Sequence, residues 1–193
     1  MLSGVITLTS AMTETAVPGY EAATWNIDPV HSEVGFSVRH MMVSKVRGRF
    51  TNFSGQIVTA DDPTQSSVTA EIDLSSINTG QEQRDAHIRS ADFFEVETYP
   101  TMTYKSRAIR VEDGEYVLDG DLTLKGVTKS VPLRLELNGF GPDPYGGVRA
   151  GFTATGEINR SDFNVSFNAP LSNGGVVVGE KVTLQLEIEA VKA

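Results

Sequence analysis

The regular alternation of apolar and polar residues constrains the fold of this chain more than any other feature. Within residues 33–40, Val34, Phe36 and Val38 occupy every second position, and small or polar residues stand between them. Successive side chains of a β-strand point to opposite faces, so this pattern places one apolar face against one polar face. The segment therefore predicts a half-buried β-strand.

The same alternation returns along most of the chain and predicts a fold built almost entirely of strands. It is seen in SVTAEIDL, TMTYKSRA, YVLDGDLTL, VPLRLELNGF, VRAGFTATGEI and KVTLQLEIEAV. Roughly eight strands at regular spacing are typical of all-β folds, and consecutive hairpins connect them in up-and-down order. A sheet of this size has two exposed edges unless it closes on itself. We predict an all-β fold, an extended eight-stranded antiparallel β-barrel.

Three places depart from the alternation. The apolar register changes near Thr51-Asn52, which predicts a β-bulge, and Pro132 indicates an edge or bulge at the start of its strand. Residues 75–100 lack the strand pattern. Within them, Thr79 and Glu82 have the spacing of a capping box, so we expect one or two short helices in this 75–100 connection.

The N-terminal segment differs from the rest in composition. Residues 1–23 are rich in Thr, Ala and Ser without a sustained period, so we interpret them as a flexible tail and residues 24–193 as one barrel domain. Either Met1 or Met12 fits as the start. No Lys or Arg precedes Arg39, unlike the positive region of a secretory signal, and no apolar run has the length of a membrane span. We expect a cytoplasmic location without stable membrane insertion.

Charge and cysteine content exclude several classes of function. The net charge of −9 repels phosphate backbones and anionic lipid surfaces, which argues against a nucleic-acid partner. The chain has no cysteine, so it forms no disulfide and has no thiolate nucleophile. A ligand with a long neutral body is compatible with this composition.

Several motifs together resemble the YceI-like family over about residues 25 to 193. They are WNIDPVHSEVGFSVRH, VRGRFTNFSGQI, INTGQEQRDAHIRSADFFEVETYP, GDLTLKGVTKSVPL, GEINRSDFNV and VGEKVTLQLEIEAVK. The resemblance implies a lipocalin-like barrel whose apolar pore takes up a polyisoprenoid chain. It implies a ligand class and not a particular molecule.

Small residues on the inner face favour an internal pore. Gly48, Ala70, Gly120 and Ala154 stand at apolar-face positions among large residues, as do Ala150 and Gly156. Unfilled space costs dispersion contacts, so a chain that keeps it commonly uses it. The alternative is that these residues only relieve crowding.

The apolar parity of each strand identifies candidate pore residues, each of which could equally belong to a filled core. They are Val34, Phe36, Val38, Phe50, Ile72, Met102, Tyr104, Leu122, Leu124, Leu133, Leu135, Phe152 and Ile158.

Polar residues near the strand ends are candidates for contacts with a ligand head group at the rim. We assign His31, His87, Arg89 and Asn168 to this rim. The alternatives are a capped turn at His31 and structural ion pairs around His87 and Arg89.

Catalysis and metal binding have little support in the sequence. His31 and His40 differ in parity on one strand, so they do not jointly bind a metal. Nucleotide, cofactor and hydrolase motifs are absent from the sequence, and we predict no cofactor and no catalytic residue.

We predict non-enzymatic binding and sequestration or transport of a polyisoprenoid or similar long-chain lipid. Two alternatives stay open, an enzyme acting on a pore-bound isoprenoid lipid and a filled-barrel, stress-related interaction protein. Homodimerisation also stays open.

Overall fold

Twelve β-strands follow the alternating segments in the computed structural model, which describes residues 17–193. The strands are β1 (Ala23–Ile27), β2 (Glu33–His40), β3 (Ser44–Phe50), β4 (Phe53–Thr59), β5 (Ser67–Asp73), β6 (Ile77–Asn78), β7 (Thr101–Glu112), β8 (Glu115–Leu124), β9 (Val127–Ser130), β10 (Leu133–Pro142), β11 (Val148–Asn159) and β12 (Val178–Lys192). The α-helix α1 spans Glu82–Arg89, and short 3-10 turns cover Pro63–Gln65, Leu74–Ser76 and Arg160–Phe163.

These strands form one closed antiparallel barrel with eight positions around the ring. Strands β1 and β2 both pair with β12, so they act as one interrupted strand, and β9 and β10 share β8 in the same way. Strands β3 and β4 likewise continue one another beside β2 and β1. The first and last positions meet where Trp25 pairs with Lys192. The predicted eight-stranded up-and-down barrel is confirmed.

The interruptions fall where the sequence changes its pattern. Strand β3 ends at Phe50 and β4 begins at Phe53, and both rings are buried, so the two residues between them reset the inward register. The backbone N–H groups of Thr51 and Asn52 are satisfied there by Ser76. A second break separates β9 from β10 at Pro132, since proline has no N–H for the ladder.

The 75–100 connection contains one α-helix, but its N-terminus differs from the sequence prediction. The helix is capped by Gln81, whose side chain accepts a hydrogen bond from the backbone N–H of Arg84. Thr79 instead contacts the buried carboxylate of Asp85, and it accepts a hydrogen bond from the Arg84 side chain. The predicted Thr79–Glu82 capping box is therefore wrong. Thr79 lies one residue before Gly80, whose positive φ turns the chain away from helical geometry.

The start of the described chain packs onto the barrel. The ring of Tyr20 contacts Phe140 edge-on, and its hydroxyl donates to the carbonyl oxygen of Ala60. Residues 1–16 of the predicted tail lie outside the described residues. Within residues 17–193, no helix combines the length and the apolar character that crossing a bilayer requires.

The two ends of the barrel differ in construction. We call one the helix end, since it carries the β2–β3 hairpin, the connection 79–100 and the loop 164–177. At the opposite base end, Trp25 and Phe152 belong to a buried cluster, and both rings contact Phe140 edge-on. The packed base leaves the barrel interior and the helix end as the regions that position the candidate site.

Candidate ligand-binding cavity

An apolar cavity of about 700 Å³ runs through the barrel interior. Inward residues of every ring position line it, from Tyr20 and Pro63 near the base to His87 and Val177 at the helix end. Its walls are mainly aliphatic and aromatic, because alternate residues of each strand point inward. The void that the sequence predicts is present, and its volume falls within the range of about 300–1,000 Å³ typical of small-molecule sites.

All thirteen candidate pore residues line this cavity. They are Val34, Phe36, Val38, Phe50, Ile72, Met102, Tyr104, Leu122, Leu124, Leu133, Leu135, Phe152 and Ile158. Their contact with a ligand stays a prediction.

Two groups of residues line the cavity but were not among the candidate pore residues. Leu184, Leu186 and Ile188 of β12 line the cavity, and their alternation was visible in the sequence. Phe93 and Phe167 also line it but come from irregular segments without strand parity. For such residues the sequence carried no periodic signal, so only the tertiary fold brings them to the site.

Two of the small inward residues make room for aromatic rings instead of leaving empty space. A Cβ at Gly48 would clash with the ring of Phe36 on the neighbouring strand, and one at Gly120 would clash with the ring of Tyr104. Crowding relief is therefore correct at these two positions. Ala70 and Ala154 do line the cavity.

Tyr104 carries a buried hydroxyl in the wall. It donates to the carbonyl oxygen of Val131 at 2.8 Å. Burial raises the pKa of Tyr104 above its ordinary value of 10.0, and the negative charge of Asp119 adds to the effect. The phenol therefore stays protonated at neutral pH and serves as a fixed wall residue with a satisfied hydrogen bond.

An aromatic contact at the helix end joins two irregular segments. The His87 ring on α1 lies edge-on to Phe93 and to Phe167, with centroids 5.2 and 5.0 Å away. Its Nε2 lies 2.8 Å from a carboxylate oxygen of Asp92. His87 lines the cavity, as the rim assignment expects, and it also holds the helical connection against the loop 164–177.

The buried guanidinium of Arg160 holds the two ends of the loop 164–177 in place. Arg160 is 5% exposed, and it donates to the carbonyl oxygens of Gly179, Val165, Phe167 and Val178. Burial lowers the pKa of Arg160, and the charge of Glu180 opposes that shift. These four hydrogen bonds join residues at both ends of the loop 164–177. Arg160 also lines the cavity, which places positive charge at its helix end.

The other three predicted rim residues do not line the cavity. His31 is exposed in the turn between β1 and β2, where its Nδ1 lies 2.8 Å from a carboxylate oxygen of Asp28. Arg89 turns outward and donates to the carbonyl oxygen of Ser75. Asn168 donates to the carbonyl oxygen of Val178 and accepts from its N–H, so its amide fixes the loop.

One cluster of potential metal-binding groups lies outside the barrel. Ligand atoms of Asp28, His31 and Glu189 lie within 4.8 Å of one another. The guanidinium of Arg149 donates to both carboxylates, at 2.8 and 2.7 Å. The hydrogen bonds from Arg149 and then His31 hold the pKa of Asp28 well below its ordinary value. Arg149 therefore already compensates the charge that would attract a metal ion.

The fold and the cavity together define an antiparallel β-barrel with an apolar interior suited to a ligand. The YceI-like domain family matches residues 25–190, and this chain belongs to that family. A UPF0312 protein of Photorhabdus laumondii is 39% identical over 174 residues, which cover 89% of this chain and 88% of the relative.

Solved structures share the architecture. Burkholderia cenocepacia BcnA is similar with a TM-score of 0.69 and 26% identity, covering 84% of this chain and 98% of that protein. A polyisoprenoid-binding domain of Saccharophagus degradans, implicated in plant cell wall breakdown, has a TM-score of 0.66 and 19% identity. That match covers 90% of this chain and all of that domain, and at this identity it shows the fold alone.

Proposed function

We propose that the protein binds a polyisoprenoid or similar long-chain amphiphilic lipid in the barrel cavity and sequesters or transports it without chemical change. The observation that carries the proposal is the 700 Å³ cavity with its predominantly apolar wall. The ligand class named for the Saccharophagus domain, which has the same fold, supports it. In this mechanism the wall replaces water around the chain, and the helix end leaves the head group solvated.

Burial of the lipid chain supplies enough free energy for this function. Three prenyl units contain fifteen carbon atoms, and burial contributes about 0.8 kcal/mol for each methylene, or about 12 kcal/mol in total. Association costs of at least about 4 kcal/mol oppose this gain. The remainder of at most about 8 kcal/mol corresponds to an affinity up to the micromolar range.

Filling the cavity tests the proposal directly. Ala70 lines the cavity, whereas Thr69 on the same strand is exposed. We expect Ala70→Trp to reduce binding of geranylgeraniol at least tenfold, because the indole occupies space that the lipid needs. Displacement of a fluorescent apolar probe from the purified protein measures the affinity.

Thr69→Trp is the matched control, and it should bind geranylgeraniol as the wild type does. Thermal unfolding of both variants establishes that they are folded. Equal affinity of a folded Ala70→Trp variant and the wild type would contradict cavity binding. Native mass spectrometry after gentle purification adds a second readout, and a lipid adduct on the wild-type protein is expected.

We further propose that the protein acts in the cytoplasm and that no residue of the cavity is catalytic. Incubation of the loaded protein followed by lipid extraction should return the ligand unchanged, and any converted product would support the enzyme alternative. Homodimerisation is a separate proposal, which sedimentation of the purified protein tests.

A further inference from the structure

The tip of the β2–β3 hairpin is apolar and exposed. Met41, Met42 and Val43 are 44%, 54% and 82% exposed. Val176 of the neighbouring loop is also exposed, and the backbone N–H of Met41 donates to the carbonyl oxygen of Val177. We call Met41, Met42, Val43 and Val176 the apolar tip. Clustered exposed apolar side chains on a water-soluble surface commonly mark an interaction site.

The backbone of the hairpin does not explain these residue types. Met41 and Met42 have φ values of 48° and 64°, a region that Gly and Asn adopt most readily. Two other hairpins of this barrel have the same pair of positive φ values, and they use Asp113-Gly114 and Lys125-Gly126. Two methionines therefore occupy positions where the turn geometry favours Gly or Asn, which points to a role for their side chains.

Exposed cations follow the apolar tip along β2 and β3, in a stretch of sequence without carboxylates. Arg39, Lys45, Arg47 and Arg49 are exposed on the outer face of β2 and β3, where Arg39 pairs across the strands with Lys45. None of the four has an ion pair or a side-chain hydrogen bond within residues 17–193. The chain has no Asp or Glu at 34–60 or at 163–179, the two segments that form the tip.

The tip lies directly over the helix end of the cavity. Val38, His40 and Val46 of the same hairpin line the cavity, and so do Val177 and Val178 of the adjoining loop. An apolar tip next to exposed cations fits an anionic bilayer, whose phosphates attract cations and whose acyl boundary accepts apolar side chains. The net charge of −9 predicts repulsion from such a surface, but residues 34–60 and 163–179 together contain four Arg and Lys residues and no carboxylate.

We propose that the apolar tip and its four cations dock the barrel on anionic phospholipid membranes, so that a lipid passes between the bilayer and the helix end of the cavity. The transfer step rests on the proposed lipid-binding function, whereas the docking step is measured independently. The occupant that this surface fits is a bilayer carrying phosphatidylglycerol or a similar anionic lipid.

Co-sedimentation with vesicles tests the docking step. We expect the protein to bind vesicles of equal parts phosphatidylglycerol and phosphatidylcholine, to bind pure phosphatidylcholine vesicles weakly, and to dissociate as salt rises. Neutralising one cation near the surface weakens binding roughly fivefold, so Arg47→Gln with Lys45→Gln should lose roughly 25-fold. Met42→Asn with Val43→Ser should also release the protein while keeping a favourable turn residue.

Two control variants lie away from the tip. Lys105→Gln removes an exposed cation from β7, and Tyr145→Ser removes an exposed ring at the base end, so both should bind vesicles as the wild type does. Equal vesicle binding by the tip variants and the wild type would overturn the proposal. A dimer that the tip variants abolish, without any vesicle binding by the wild type, would also overturn it and assign the tip to a second copy of the chain.

Probe displacement by geranylgeraniol, measured without vesicles, separates the two proposals. Tip variants that bind geranylgeraniol normally but fail to bind vesicles support docking at the tip. A wild type that binds vesicles but no lipid in the cavity would refute the proposed function and leave the docking surface in place.

Discussion

Individual glycines decide how the large inner side chains fit together. Tyr104 leans over Gly120 of the paired strand, and its hydroxyl is fixed by the carbonyl oxygen of Val131. Phe36 lies over Gly48 in the same way. These glycines therefore leave space that a neighbouring aromatic ring fills. The alternation of the sequence alone does not distinguish such positions from those that leave a void.

A single methyl group at Gly120 tests this role. We expect Gly120→Ala to destabilise the protein by about 1–3 kcal/mol, because the new Cβ forces the anchored Tyr104 ring out of position. Chemical denaturation measures the change in the free energy of unfolding.

Gly139→Ala is the control for that measurement, since a Cβ there meets no atom within 4 Å. Its unfolding free energy should stay within about 0.5 kcal/mol of the wild type. An equal effect of the two substitutions would show that lost backbone flexibility, and not ring packing, explains the result.

Among the elements, the strands were far more predictable than the connections. Period-two alternation identified the wall residues, and Pro132 together with the register change at Thr51-Asn52 located the interruptions. The helix start, the positions of His31 and Asn168, and the contribution of Phe167 were not predictable. Phe167 meets His87 through a contact between segments that are distant in sequence, which local patterns do not record. At His31 and at the helix start the contacts are local, but several polar residues there could form the turn or the cap, and the sequence does not distinguish among them.

The conformation of the loop 164–177 depends on the side chain of Arg160, which lies outside the loop. We expect Arg160→Leu to destabilise the protein by more than about 3 kcal/mol, because four carbonyl groups lose a charged donor. Denaturation measures the global effect, and hydrogen exchange of residues 164–178 measures the local one.

Arg160→Lys separates charge from geometry in the same experiment. An ammonium group keeps the charge but does not reproduce the planar fork, so we expect faster amide exchange in the loop with a smaller global loss. Unchanged exchange in both variants would refute the role of Arg160 as the organiser of the loop.

At the scale of the whole molecule, the proposed lipid binding makes the stability of the fold depend on occupancy of the cavity. A ligand that binds only the folded state adds about 2.7 kcal/mol when its free concentration is one hundred times the dissociation constant. For a domain of this size that gain raises the midpoint of thermal unfolding by about 5–10 °C. We expect protein refolded without lipid to melt lower by this amount than protein saturated with geranylgeraniol.

The comparison needs a compact ligand as a control. A short alcohol such as butanol at the same concentration should leave the unfolding midpoint unchanged, since it buries little apolar surface. Identical midpoints with and without geranylgeraniol would contradict occupancy of the barrel by a long chain.

Ring closure also determines when this protein acquires its interior during synthesis. Strand β12 supplies the last fifteen residues of ladder and is hydrogen-bonded to β11, to β2 and to β1. A nascent chain that still lacks this strand exposes unpaired edges on both sides of the gap. The enclosed space therefore forms only after β12 has been synthesised and has paired with these strands, so we expect the proposed lipid to enter a barrel that has already closed.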